Sequence, residues 1–316
     1  MNNFKKILPL ILLTLFIFLI NYYYQRNKED FFGIQYLDKS LLIQILILCF
    51  FYLLTEGLVL KNIVNFLNKK ISFIQSFLVM SATYFCNTFI QFSGLGYRVY
   101  YLKRFKNLKI LETLRFSIDT IACEVLVFSL IGTISISLID LNSEKIGISI
   151  VLYLIFTFFL LSSIIYLFFI SIIILKFQNI LNKLNFFKLN KILEVFILKK
   201  KNIFFFYKKQ LFVFFFQYLI LFFILFLIIN KMGINNYFYL SLLITSLIDF
   251  SFLIALTPYS VGISELITFF GTRDIPLTLA EIIILINIFR ISMLLIYFVC
   301  GPIFIIFNLK KGNYGM

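Results

Sequence analysis

Ionisable side chains interrupt the apolar stretches in the C-terminal part of the sequence. Asp249 and Glu265 lie on either side of Pro258 and Gly262, and Arg290 lies inside the next apolar run. A charge near the centre of a span costs about 2.5 kcal/mol or more, so it usually faces a cavity or a partner. An arginine there can hold a phosphate, and an acid can hold a cationic headgroup or neutralise the arginine. The residue types therefore suggest the binding of a charged lipid headgroup.

Glu124, which lies in an earlier apolar run, joins the two other acids as a candidate partner for Arg290. For all of these residues a second interpretation stays open, a structural salt bridge that fixes helix packing. Glu56 falls near the end of another apolar run and close to Lys61. It either pairs with that lysine at the membrane interface or has a functional role.

The segment Thr257–Gly262 is predicted to break a helix inside the bilayer. A proline removes a backbone hydrogen bond and clashes with the preceding turn, and Gly262 follows Pro258 closely. Broken backbone at membrane depth is tolerated only where protein or water covers it. We therefore expect Tyr237–Gly271 to form a re-entrant hairpin, with Pro258 and Gly262 at its break.

The composition is that of an all-α polytopic membrane protein. The chain has 316 residues, 62% of them hydrophobic, and carries no histidine, and its mean hydropathy is +1.02. The missing histidine removes the commonest general base and metal ligand, and the four cysteines stand singly. We expect no metal, no cofactor, no catalytic residue and a single domain over residues 1–316.

Six apolar runs are long enough to cross a bilayer. They are Ile7–Tyr24, Leu41–Leu60, Thr113–Ile139, Ile146–Leu175, Gln210–Asn230 and Leu277–Asn308. The net charge of +15 lies mostly in short loops between them, which is typical of loops facing anionic headgroups and not of a nucleic-acid-binding surface. The lysine-rich stretch Lys176–Lys209 is predicted to be such a loop, with an amphipathic surface helix.

The distribution of basic residues predicts a second re-entrant hairpin over Ile71–Ser93. The segments Arg98–Lys109 and Lys176–Lys209 hold 5 and 9 lysines and arginines. Both can lie in the cytoplasm only if Ile71–Ser93 returns to the side from which it enters. The expected architecture is six crossing helices and two hairpins that enter from opposite faces, with both termini cytoplasmic in the cell membrane. Broken helices that meet near the midplane are common in transporters.

Three segments together resemble the lysylphosphatidylglycerol synthase transmembrane-region family, also called the flippase-like domain. Gly94–Arg98 (GLGYR) is similar to its glycine–arginine motif, and Pro258–Glu265 (PYSVGISE) to its second motif. Arg290 and Gly301–Pro302 resemble its closing segment. The order and spacing agree over essentially the whole chain. The family usually has glycines where Tyr259 and Ser260 stand, so this sequence departs from the pattern there.

The resemblance implies a function in lipid handling. Members of the family form the membrane part of enzymes that aminoacylate phosphatidylglycerol, and that part is taken to move the lipid between leaflets. Others stand alone or accompany polyprenyl-linked glycosylation. The chain ends at Met316, so the resemblance implies a stand-alone member without the soluble synthase domain and without its activity.

Basic residues in the first motif and shortly after it are candidates for lipid contacts. Arg98 is expected where the first hairpin returns to the cytoplasmic side, where it either selects anionic headgroups or extends to the interface. Lys103 and Arg104 are predicted to form an anionic-lipid surface patch. The expected substrate-binding residues are thus Arg98, Glu124, Asp249, Glu265 and Arg290.

We expect a lipid translocase that moves phospholipids or lipid-linked headgroups through a polar intramembrane cavity. One alternative is a membrane enzyme acting on polyprenyl-phosphate substrates, although the sequence has no DxD or DD pair and no P-loop. The other is an accessory scaffold for a separately encoded synthase or glycosyltransferase. The expected partners are membrane lipids and such an enzyme, and no nucleic acid.

Overall fold

Long apolar runs become helices because a membrane offers backbone amides no other partner than one another. The computed structural model describes residues 38–89, 92–140, 147–183, 203–234, 237–254, 260–272 and 277–313, and no strand occurs in these ranges. The helices are α1 (Lys39–Phe66), α2 (Phe73–Phe89), α3 (Ser93–Lys106), α4 (Ile110–Asp140), α5 (Gly147–Lys183), α6 (Ile203–Lys231), α7 (Tyr237–Ile254), α8 (Ile263–Gly271) and α9 (Leu279–Asn313).

Five of these helices, α1, α4, α5, α6 and α9, are long and apolar enough to cross a membrane. They coincide with five of the six predicted spans, so the polytopic helical fold is confirmed. The sixth, Ile7–Tyr24, lies outside the described residues. The loop prediction for Lys176–Lys209 is wrong at both ends, because α5 continues to Lys183 and α6 begins at Ile203. The predicted amphipathic surface helix lies outside the described residues.

The first hairpin consists of α2 and α3, which contact each other backbone to backbone. A Cβ atom placed on Gly94 would lie 2.0 Å from the carbonyl oxygen of Thr83. The Gly94 N–H donates to Oδ1 of Asn87 at 2.8 Å. At the open end, Lys106 Nζ donates to the Lys70 carbonyl at 2.9 Å. The chain therefore leaves the hairpin where it entered, as the charge distribution predicts.

The hairpin is longer than the predicted segment Ile71–Ser93. Its return arm is all of α3, from Ser93 to Lys106. Arg98 consequently lies within the return arm and not at its exit, and the prediction for its position was wrong. The sequence suggested a loop there because α3 is rich in basic residues, yet these cluster in its last turn.

The second hairpin consists of α7 and the short helix α8. Ser260 Oγ donates to the Ser251 carbonyl at 3.2 Å, and a Cβ atom on Gly271 would lie 2.7 Å from Leu247 Cδ1. Gly262 begins α8 with a φ of 85°, a left-handed conformation that glycine adopts without strain. Pro258 lies outside the described residues.

The two hairpins open at opposite ends of the bundle. Lys231 Nζ, at the end of α6, lies 3.2 Å from Asp38 Oδ2, which caps the start of α1. The second hairpin follows α6, whereas the first follows the far end of α1. Because α1 has 28 residues, these ends are about 42 Å apart at 1.5 Å per residue. This is the opposed arrangement that the sequence predicts.

We expect Gly94→Ala to destabilise the protein, because the new methyl group would collide with a backbone carbonyl that cannot turn aside. Overpacking of this kind costs about 1–3 kcal/mol. The loss would appear as a lower midpoint of thermal unfolding in detergent, followed by thiol-dye labelling of the buried Cys49 and Cys123.

The matched control is Gly96→Ala, two residues further along the same helix, where an added Cβ meets no atom within 4 Å. Alanine is about 1 kcal/mol better than glycine in a helix, so this variant should be as stable as the wild type or more so. Equal midpoints for the two variants would contradict the close contact of α2 and α3.

Candidate functional site: a buried ion pair and an acidic cleft

Arg290 joins α9 to the break of the second hairpin. Its guanidinium pairs with Glu265 Oε1 through Nη1 and donates from Nη2 to Ser264 Oγ. Nη2 also donates to the Ser260 carbonyl at 2.8 Å. The side chains of Arg290 and Glu265 are only 3% and 1% exposed. Of the three acids that the sequence offered as partners for Arg290, Glu265 is the one that binds it.

The other carboxylate oxygen of Glu265 is held by the first turn of α8. Oε2 accepts from the Gly262 N–H at 2.9 Å and from Ser264 Oγ at 2.9 Å. A carboxylate at this position also faces the positive end of the helix dipole. Ser260 takes a left-handed φ of 53°. The ion pair is thus complete, with a donor for each carboxylate oxygen.

Asp249 and Glu124 lie elsewhere, in a narrow cleft between four helices. The cleft is lined by Tyr52 of α1, Glu124, Val127 and Phe128 of α4, Phe214, Gln217 and Tyr218 of α6, and Asp249 of α7. Its volume is about 10 Å³, close to the room that one water molecule needs. The structure therefore brings two of the predicted site residues together and separates them from Arg290 and Glu265.

Glu56 binds Gln217 of the cleft lining and forms no salt bridge with Lys61. Its side chain is 6% exposed, and Oε1 accepts from Gln217 Nε2 at 2.7 Å. Glu56 interacts electrostatically with both Asp249 and Glu124. The interfacial interpretation of Glu56 was wrong, and the residue belongs to the interior charged group.

Arg98 lies near the same group, on the return arm of the first hairpin. Nη2 donates to Ser117 Oγ at 3.1 Å, and Nη1 lies 3.9 Å from Met80 Sδ. Nε is buried without a hydrogen-bond partner in the described part of the chain. The guanidinium interacts electrostatically with Glu56 and Tyr84. In the described ranges Arg98 forms no salt bridge, whereas Arg290 forms one with Glu265; the Nε of Arg290 likewise has no hydrogen-bond partner there.

Lys103 and Arg104 are exposed in the last turn of α3. Arg104 donates to the Tyr100 hydroxyl and stacks over its ring. Their position at the open end of the first hairpin suits the predicted lipid surface patch, whose function stays a prediction.

A separate buried group joins α4 to α5. Arg115 Nε lies 3.8 Å from Asp119 Oδ2, and both side chains are less than 5% exposed. The Tyr166 hydroxyl donates to Asp119 Oδ1 at 3.0 Å. Each charge has a partner within its own helix, so this group fits a structural role in packing.

Sequence reasoning missed Tyr52, Gln217 and Tyr218, the neutral polar residues that line the cleft. Tyr52 lies four residues before Glu56 and so shares a face of α1 with that acid. Gln210 and Gln217, two turns apart, mark one polar face on the otherwise apolar α6, and both are buried. A polar residue recurring on one face of an apolar span was the available signal.

These features define a polytopic helical membrane protein with two opposed hairpins and a charged interior. The chain belongs to the family of the lysylphosphatidylglycerol synthase TM region, which it matches over residues 6–301. The family relates the protein to lipid modification or transport. No curated protein and no solved structure matches the chain.

We expect Arg290→Met to destabilise the protein strongly, because Glu265 would be left buried without its counter-charge. Breaking a buried pair in this way costs about 3–5 kcal/mol. The double variant Arg290→Met with Glu265→Gln removes both charges and should recover much of the loss. Thermal unfolding midpoints of the singles and the double in detergent measure this coupling.

The exposed pair of Lys231 and Asp38, whose side chains are 46% and 54% exposed, provides the control. Lys231→Met should cost only about 0–1 kcal/mol. If the double variant loses as much stability as the two single variants lose in sum, Arg290 and Glu265 do not stabilise each other.

Proposed function

We propose that this protein moves the polar headgroup of a lipid between the two leaflets through the cleft between α1, α4, α6 and α7. A translocated lipid needs a polar path for its head while its acyl chains stay in hydrocarbon. Membership of a family tied to lipid modification or transport supports this class of cargo.

The observation that carries the proposal is the contrast between a buried ion pair and two half-buried acids. Arg290 and Glu265 satisfy each other, whereas Glu124 and Asp249 share a cleft whose lining contains no cationic side chain. Carboxylates are costly inside a membrane and usually mark a substrate or ion path. Their cost is explained if a passing ligand supplies the missing charge.

The charges suggest which part of a headgroup each residue contacts. Glu124 and Asp249 would hold an amine, and the guanidinium of Arg98 would hold the phosphate. The excess of acids in the cleft favours an aminoacylated or other amine-bearing phospholipid. Arg290 and Glu265 would act indirectly, by holding the break of the second hairpin against α9.

The narrow cleft corresponds to a closed state in this proposal. A headgroup would enter when α7 and α8 move away from α4, since α7 carries Asp249 and α4 carries Glu124. In the cell membrane, with cytoplasmic termini as the basic loops predict, the basic ends of the first hairpin would attract anionic lipid to the cytoplasmic entrance. A separately encoded synthase or glycosyltransferase would supply the cargo, and this chain would contribute no catalytic residue.

The proposal predicts that vesicles containing the protein exchange a chain-labelled fluorescent phosphatidylglycerol or lysylphosphatidylglycerol between leaflets. Dithionite, which bleaches only the outer leaflet, reports the exchange. Arg98→Met and Asp249→Asn should each slow it by roughly 10- to 100-fold, because each removes a charge-assisted contact worth about 1.5–3 kcal/mol.

Matched controls are Lys39→Met and Glu112→Gln, which change the same charges at sites outside the cleft. Lys39 is exposed, and Glu112 lies at the start of α4 beside Lys109. Both should exchange lipid at the wild-type rate. Protein-containing vesicles that bleach like empty ones would reject the proposal, as would unchanged exchange by Asp249→Asn.

A further inference from the structure

The side-chain oxygen of Gln217 is a buried hydrogen-bond acceptor without a hydrogen-bond partner among the described residues. The Gln217 side chain is 4% exposed, and its Nε2 is occupied by Glu56. Its Oε1 has no hydrogen-bond partner in the described ranges, although it borders the cleft. A buried acceptor without a donor costs about 1–3 kcal/mol, so the site calls for a ligand that donates.

The carboxylates of Glu124 and Asp249, which line the same cleft, also lack a hydrogen-bond donor in the described residues. No hydrogen bond joins Glu124 or Asp249 to another residue in the part of the chain that the structure describes, and the two repel each other electrostatically. Like charges that share a low-dielectric site disfavour the state in which both are ionised. Two acids and one amide oxygen thus line one cleft, while its Tyr218 hydroxyl donates to the Leu242 carbonyl and its Tyr52 hydroxyl interacts with Gln217.

The groups that face this pair do not supply a counter-charge. The titratable and charged neighbours are Tyr52 and Glu56 of α1, Tyr84 of α2, Cys123 of α4 and Tyr218 of α6, with Arg98 of α3 beyond Glu56 and Glu265 of α8 bound to Arg290. Arg98 interacts electrostatically with Glu56 and Tyr84. The cleft therefore keeps a surplus of negative charge.

The size of the cleft limits what can neutralise this surplus in the closed state. About 10 Å³ admits one water molecule and no lipid amine. In the described ranges, no three Cys, Asp or Glu side chains are placed to hold a metal ion together. A proton, shared between a carboxylate and a water molecule that also donates to the Gln217 oxygen, meets both limits.

We propose that Glu124, Asp249 and the Gln217 side-chain oxygen form a proton-binding site, which holds one proton when α4 and α7 close on each other. Hydronium transfers the proton to one carboxylate oxygen, and the remaining water bridges to the amide. Opening the cleft hydrates the two acids separately and releases the proton to water. This coupling rests on the proposed function and gives lipid movement an ion that can drive it.

Proton binding and closure of the cleft are thermodynamically linked in this proposal. If the closed state binds one more proton than the open state, acidification favours closure, and the closed-to-open ratio changes by up to about tenfold per pH unit. A pH difference across the membrane then biases the cleft between its closed and open states. The proton and the lipid amine compete for the same acids, so each would displace the other.

Infrared difference spectroscopy tests the site without any transport assay. The full-length protein in a lipid bilayer is titrated at constant salt, and the carbonyl stretch of protonated carboxyl groups is followed. The wild type should gain this band on acidification. The double variant Glu124→Gln with Asp249→Asn should lose that component, and Glu112→Gln should keep it.

The single variants make the test sharper, because the remaining acid then faces one like charge fewer and is left with that of Glu56 alone. Glu124→Gln and Asp249→Asn should each keep a band that appears only in more acidic solution than in the wild type. Unfolding midpoints confirm that the variants are folded. A band unchanged in the double variant, or one that responds to sodium at constant pH, would overturn the proton site.

Lipid exchange measured over the same pH range separates the two proposals. Exchange that varies by up to about tenfold per pH unit in the wild type, and not in the folded double variant, would support the coupling. A proton band in the wild type with no lipid exchange at any pH would reject the translocase and leave the proton site supported. Lipid exchange without the infrared band would reject the proton site and leave the translocase supported.

Discussion

Hydrocarbon provides no water, so a charge inside it must be neutralised by another part of the protein, and this constraint shapes the second hairpin. Arg290 enters from α9, and α8 presents Glu265 at its first turn, where Gly262 and Ser264 also bind the carboxylate. The left-handed conformations of Ser260 and Gly262 allow the chain to place these groups together. The interrupted segment thus gains a fixed attachment to a crossing helix.

The first hairpin is held in a different way. Gly94 lets α3 approach α2 at backbone distance, and Lys106 binds the carbonyl of Lys70 at the open end. This contact carries half-buried Arg98 to a position at which it interacts electrostatically with Glu56. Natural proteins keep such costly groups mainly at functional sites. In the described residues the cleft acids form no salt bridge, whereas Arg290 forms one with Glu265, and this contrast is the reason for assigning the cargo to the cleft.

The sequence predicted the crossing helices well, because length and apolarity decide them, and it predicted both hairpins from charge and proline. It limited the partner of Arg290 to three acids, but choosing Glu265 required the turn that starts α8. It misplaced Glu56, since Lys61 is five residues away on a different face of α1, whereas Gln217 is distant in the chain. It also shortened the first hairpin, because basic residues at the end of α3 resembled a loop.

The most direct test asks whether a headgroup passes through the cleft. A phospholipid with a photoreactive group on its headgroup amine would be illuminated in vesicles with the full-length protein, and the labelled residues mapped by mass spectrometry. The account predicts labels on α4 and α7 around Glu124 and Asp249, lost in Asp249→Asn. Labels confined to bilayer-facing side chains such as Phe158 and Phe212, which are 66% and 73% exposed, would contradict it.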